Sequence, residues 1–200
     1  MTRPYTMRRR AATQMQTRRR ILDAALRLYE SHGPADTTIL AIAERAGVQR
    51  LTLYRHFEDE RILLDAVWAL WSAAHPFPDV GRVAGTVDPR QRVRDALEAA
   101  YGFYEGAAPF LLRATADRDR MPVLAELLAP YDAWLLELRR RLAEGWGASG
   151  RGREWIVALV GHALHVESWR SLVRDGGLAA GDAARVMSRA IADLARDPYA

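Results

Sequence analysis

Between Gln49 and His56 the chain sets Gln49, Arg50, Leu51, Thr52, Tyr54, Arg55 and His56 almost side by side. These are the groups that read a DNA major groove. Arginine reaches guanine O6 and N7, glutamine reads adenine, and a leucine or threonine methyl meets the thymine methyl. Tyr54 and His56 sit on the shoulders of the segment, where a hydroxyl and an imidazole reach phosphates and fix a docking pose. His162 and His165, with Glu167 beside them, are the other group with ligand chemistry. Without cysteine, and with no further His or carboxylate at ligand spacing, they read as polar points of a pocket or interface, with no metal. No nucleophile–base pair, paired-carboxylate constellation, H-E-x-x-H or P-loop is present, so no enzyme is expected.

The elements that position Gln49 to His56 follow from periodicity. Apolar residues recur at helical spacing throughout, and no stretch alternates long enough to be a strand, so the chain reads as all-α. A first helix is expected over about 17–31, with Ile21, Ala25, Leu28 and Tyr29 on one face, stopped by Gly33-Pro34. A second starts at Thr37 or Thr38, either of which can cap it, and buries Ile39, Ile42, Ala43 and Ala46. Gly47 ends it, because glycine takes positive φ at little cost. A short third helix follows to His56, with Leu53 and Phe57 turned inward. Two short helices about a glycine turn form a helix-turn-helix; an ordinary helical hairpin with a solvated face has the same outline.

Charge separates the two readings. Of the 200 residues, 29 are basic and 25 acidic, for a net charge of +4. Residues 1–57 carry +7 and the remainder −3. A basic end on a near-neutral body marks a polyanion partner for that end alone. Residues 1–14 are expected to be a flexible basic arm, and Arg18 to Arg20 open the first helix with no acid before Asp23. Each such arginine can neutralise a phosphate and release counterions. The absence of cysteine fits a reducing, cytoplasmic interior, and no apolar run is long enough for a membrane span.

The segment TTILAIAERAGVQRLTLYRHFEDERILLDAV resembles the N-terminal signature of the TetR family of bacterial regulators. Thr38, Ile42-Ala43, Ala46-Gly47-Val48, Thr52-Leu53-Tyr54 and His56-Phe57 carry the resemblance, which spans about residues 15–75. It implies a three-helix DNA-binding domain over 15–75 and a helical effector-binding and dimerisation domain over 76–200, about nine helices in all. It implies phosphate contacts from Thr38, Tyr54 and His56 and base-reading or nearby roles for Gln49, Arg50 and Thr52; charge and the exposed helix face add Arg18, Arg19, Leu51 and Arg55 as expected DNA contacts. Leu51 departs from the Gly, Ala or Pro usual there, and Glu60 from a common phosphate-contacting lysine, with Arg61 next door. The implied function is a dimeric repressor released from a pseudo-palindromic operator by a small-molecule effector, without a cofactor.

Residues 75–89, rich in Pro and Gly, are the expected domain boundary. Helices are expected near 90–106, 109–118, 122–146, 154–174 and 182–196. All six tryptophans lie beyond residue 60. An apolar or aromatic effector would find Trp68, Trp71, Tyr101, Tyr104, Tyr131, Trp134, His162, His165 and Trp169 as pocket candidates. Trp155, Leu159, His162, Val166, Trp169 and Val173 form one stripe on the helix expected over 154–174, yet residues 155–160 are apolar all round. Such a helix must be covered on every side. A homodimer interface is therefore expected from Trp155, Leu159, Val166, Met187, Ala190, Ile191 and Leu194.

Overall fold

The computed structural model describes residues 3–196, with side chains from Ala11 onward except at Val83. Among the described residues the chain is all-α, and it divides into two compact units.

The first unit comprises the chain up to Ala74 and residues 113–127. It contains α1 (Arg3–His32), α2 (Ile39–Ala46), α3 (Arg50–His56), α4 (Glu60–Ala74) and α7 (Pro122–Leu127). Its core is Ile21, Ala25, Tyr29, Ile39, Ile42, Ala43, Leu53, Phe57, Leu63, Leu64, Val67 and Trp71, all buried. Helix α1 packs on both α2 and α4, and α3 packs on α2. The basic arm expected over 1–14 is, from Arg3 onward, continuous with α1 rather than a separate segment. Its Arg, Ala, Gln and Met residues are strong helix formers that leave no apolar stripe for periodicity to detect. Residues 1 and 2, and the side chains of Arg8, Arg9 and Arg10, lie outside the described residues.

The second unit comprises residues 75–112 and 128–200. It contains α5 (Val80–Val83), α8 (Ala129–Leu142), α9 (Gly150–Leu164), α10 (Val166–Trp169), a π-helical turn (Arg170–Asp175) and α11 (Ala180–Leu194). Helix α6 (Pro89–Ala116) contributes residues up to 112 to this unit and 113–116 to the first. Helix α9 packs on α8 and on α11.

Several expected boundaries are corrected. The connection 75–89 holds the short helix α5, capped by the Asp79 carboxylate on the Arg82 amide. The helices expected over 90–106 and 109–118 are one, α6, with Pro109 inside it. Proline cannot donate to the carbonyl of Glu105, but both residues are exposed, so the missing bond falls on the open side of the helix. The helix expected over 122–146 divides at buried Leu128 into α7 and α8. The helix expected over 154–174 breaks at His165, which is extended at φ −69 and ψ 140. Eleven α-helices and a π-helical turn are thus described where about nine helices were expected.

A candidate nucleic-acid interface and an aromatic cluster

The turn that presents α3 is built locally. Gly47 takes a left-handed conformation, φ 64 and ψ 41, at the end of α2. Its N–H donates to the Glu44 carbonyl at 3.0 Å, and the Val48 N–H reaches back to Ala43 at 2.9 Å. This pair of bonds is a Schellman motif, which satisfies carbonyls that the helix end would leave open. Half-buried Val48 closes the angle. At the other end of α2 the Thr38 hydroxyl accepts the Ala41 N–H at 3.1 Å. Its own proton is left for an incoming acceptor. Helix α3 then buries Leu53, and Phe57 closes it, both fully enclosed.

With those two residues as anchor, the opposite face is fixed. Gln49, Arg50, Leu51 and Arg55 are exposed, while Thr52, Tyr54 and His56 are half-buried along the sides. Leu51 is 61% exposed, so its methyls are open to a partner on this face. Arg50 lies on the Tyr54 ring, 5.4 Å from its centroid, and donates to the Tyr54 oxygen at 3.3 Å. That contact stiffens the arginine and leaves the phenolic proton free to donate. Arg18 lies over the Phe57 ring at 4.8 Å, next to the end of α3. Arg19 is held by Asp23 at 2.9 Å, so part of its charge is already answered. At the expected lysine position Glu60 opens α4, and Arg61 is bound by Asp65 and Glu126 at 3.1 and 2.8 Å. Those carboxylates already answer part of the Arg61 charge.

The family profile described as "Bacterial regulatory proteins, tetR family" matches residues 21–67, the span holding this turn and both its helices. The chain carries the N-terminal domain of the TetR family. Curated relatives are similar over that region. SrpR, an HTH-type transcriptional regulator of Pseudomonas putida, is 42% identical over 79 residues, 37% of this chain and 36% of its own. The uncharacterized HTH-type transcriptional regulator TtgW, also of Pseudomonas putida, is likewise 42% identical, over 37% of this chain and 58% of its own. A protein of Escherichia coli named "Probable acrEF/envCD operon repressor" is 30% identical over 45% of this chain and 41% of its own. The chain thus spans between about a third and three fifths of these relatives. Among solved structures, the TetR family regulator PfmR of Thermus thermophilus matches with TM-score 0.62 at 19% identity, over 86% of this chain and 97% of that one. A TetR-like regulator of a Rhodococcus species gives TM-score 0.61 at 24% identity, over 90% and 93%. These extend the TetR fold, though not a function, through the second unit.

The structure does not gather the pocket candidates in one place. Tyr101, Tyr104, Tyr131, Trp134 and Trp169 are all buried and share one aromatic cluster, to which Phe77 and Phe103 add. Trp68 and Trp71 lie on α4 in the first unit, 5.0 Å apart, with Trp71 fully buried. His162 and His165 line an open groove of about 470 Å³ with Glu167, Ser168, Arg170 and Met187. No group of three His, Cys, Asp or Glu able to hold a metal occurs among the described residues.

The cluster explains how a helix can break at His165. Ending α9 there leaves buried carbonyls without their helical partners. The Tyr101 hydroxyl donates to Ala163 at 3.0 Å and the Tyr104 hydroxyl to Leu164 at 2.7 Å. The Ser168 hydroxyl donates to His162. Since the Tyr104 proton is committed to Leu164, the Tyr131 hydroxyl is the donor in their 3.0 Å contact. Burial raises both the Tyr101 and Tyr104 pKa, which keeps the two phenols protonated as donors. Tyr104→Phe should therefore cost about 1–3 kcal/mol, since a buried carbonyl is left unsatisfied. Urea unfolding of the full chain measures it, and an unchanged midpoint would show that the break does not depend on this hydroxyl.

The interface candidates also divide. Val166 and Ile191 are buried within the unit. Outward on α9 are Trp155, 40% exposed, with Ala158, Leu159 and His162; on α11 are Val186, Met187, Ala190 and Leu194. Gly161 instead faces α8, where an added Cβ would come within 3.2 Å of Arg139.

Sequence reasoning did not anticipate Asp117 and Arg120. The Asp117 carboxylate, nearly buried, accepts the Ala35 N–H at 2.9 Å from 82 residues away. Arg120 bridges Asp117 and Asp36, with a 2.8 Å bond to the latter. This clasp pins the loop between α1 and α2, and so the start of α2. The hydrogen bond from Arg120 lowers the Asp36 pKa. No short motif marks such residues, because their partners are remote in sequence.

Proposed function

We propose that this chain is a dimeric transcriptional repressor that leaves a pseudo-palindromic operator when an effector binds. The observation that carries the reading is the exposed Gln49, Arg50, Leu51 and Arg55 face of α3, held out by the Gly47 turn and flanked by donor-bearing Thr38, Tyr54 and His56. A major groove offers each side chain of that face a partner on the base edges. The names of the relatives support transcriptional regulation without catalysis, and the Escherichia coli name supports repression. Such a protein meets its operator in the cytoplasm; among the described residues no helix is long and apolar enough to cross a membrane.

Dimerisation rests on the outward apolar faces of α9 and α11, which would pair with their copies about a two-fold axis. Two recognition helices then meet half-sites about one helical turn apart. The effector reading rests on the family resemblance, with the aromatic side chains of the second unit as candidates to contact an apolar or aromatic molecule. An effector releases the operator by favouring the conformation whose recognition helices no longer match successive grooves.

Competition between the promoter of a neighbouring gene and random DNA, at physiological salt, tests the reading. A preference of about 10³ or more is expected, and none would leave only a DNA-coating protein. Arg50→Ala should cost about 1–3 kcal/mol on the operator and relax preference at one base position. Tyr54→Phe should weaken all sequences alike, and a base-selective loss would contradict a phosphate role for its hydroxyl.

A further inference from the structure

A second basic surface in the first unit lies outside the α3 face. Arg20, Asp23, Ala24 and Arg27 of α1 and Arg45 and Ala46 of α2 enclose a groove of about 300 Å³. Its floor is small, Ala24 and Ala46, both buried, so the rims stand apart. The rims are arginine. The one acid, Asp23, is held by Arg19, and among the described residues Arg20, Arg27 and Arg45 have no carboxylate partner. Three guanidiniums without a carboxylate partner line one groove, and an anion placed among them would be attracted by all three.

Helical spacing gives the groove its direction. Arg20, Ala24 and Arg27 stand at i, i+4 and i+7, one side of α1. Thr38 and Arg45 stand seven residues apart, two turns along one side of α2. The side of α2 that ends in the Thr38 hydroxyl therefore continues into the groove. A repeating anion fits such a line better than a single one, and duplex DNA presents one charge per about 1.7 Å of axis.

We propose that the groove formed by Arg20, Arg27 and Arg45 holds a DNA phosphodiester backbone, beyond the strand segment met by Thr38, Tyr54 and His56. The inference rests on the DNA-binding reading above and adds Arg27 and Arg45 to the phosphate contact already expected of Arg20. The guanidinium fork matches phosphate oxygens two at a time. These contacts carry no base information. They add affinity to every sequence and make binding steeper in salt.

The test is the salt dependence of the full chain on a labelled random-sequence duplex of about 30 base pairs, long enough for two half-sites and their flanks. Arg27→Gln and Arg45→Gln are each repeated in both subunits of the proposed dimer and should reduce the slope of log K against log salt by about 1.8, one phosphate per half-site. Arg27→Lys and Arg45→Lys keep the charge and should keep the slope. Arg189→Gln, an exposed arginine of α11 in the second unit, removes the same charge and should leave it unchanged. Arg27, Arg45 and Arg189 are all exposed, and matching melting curves establish that the variants fold. An unchanged slope in the groove Gln variants, an equal fall in Arg189→Gln, or Lys variants that lose the slope would each overturn the proposal. A wild-type chain that binds no duplex at all would instead remove the DNA-binding reading.

Discussion

Gly33→Ala should destabilise the full chain by about 3–5 kcal/mol, the largest loss expected from a single methyl group in the first unit. Two separate costs meet there. Gly33 has φ 91, a left-handed conformation that costs an L-residue about 1–2 kcal/mol. An alanine Cβ would also stand 2.4 Å from the Asp117 carboxylate oxygen that accepts the Ala35 N–H. The carboxylate must move, and losing its bonds within a nearly closed site costs about 2–3 kcal/mol more. Gly47→Ala is the internal comparison. Its φ is 64, but nothing lies within 4 Å of the added Cβ. That variant should show the backbone cost alone, about 1–2 kcal/mol. Urea unfolding of both gives the difference directly. Equal midpoints would mean that Asp117 yields freely and the clasp on the loop is loose. Set against a typical total of about 5–15 kcal/mol, the Gly33 variant would leave a domain close to its threshold.

That comparison also shows which features sequence can carry. Gly47, Leu53 and Phe57 are legible because each acts on groups within a few residues, a positive φ and two inward side chains, and the cap is legible as Thr37 or Thr38, of which the structure selects Thr38 on the Ala41 amide. The exposed face of α3 followed from them by geometry. Gly33 was legible as a helix stop, but its packing was not, since Asp117 arrives from a distant segment. The same holds for the break at His165. No proline or glycine marks it, and the donors that tolerate it, Tyr101 and Tyr104, sit about 60 residues earlier. Pro109 misleads in the other direction: a local rule divides the helix there, while an exposed carbonyl makes the division unnecessary. Aromatic composition pointed to Tyr101, Tyr104, Tyr131, Trp134 and Trp169 as a group, but equally to Trp68 and Trp71, which belong to the other unit. Periodicity registers that a side chain is apolar and has no means of naming its neighbours.

Leu159→Glu should convert the protein to monomers and lower operator affinity by about 10²–10⁴, the span by which linking two binding modules raises avidity. Leu159 lies between Trp155 and His162 on the outward side of α9, and α11 extends that surface with Val186, 50% exposed, and Met187. A two-fold interface repeats every substitution, so one change places two carboxylates in the same apolar contact. Unpaired buried charge of this kind costs several kcal/mol, which a marginal helix-pair interface does not withstand. Within its own unit the side chain is only half-buried, so the monomer should keep its fold. Val87→Glu serves as the control, because Val87 is 91% exposed on the connection before α6 and should change neither association nor binding. Sedimentation equilibrium reads the first effect and titration of a two-half-site duplex the second. A Leu159→Glu protein that remains dimeric would place the subunit contact elsewhere. If it turned monomeric while holding the full operator as tightly as before, the two recognition helices would not be acting as a linked pair.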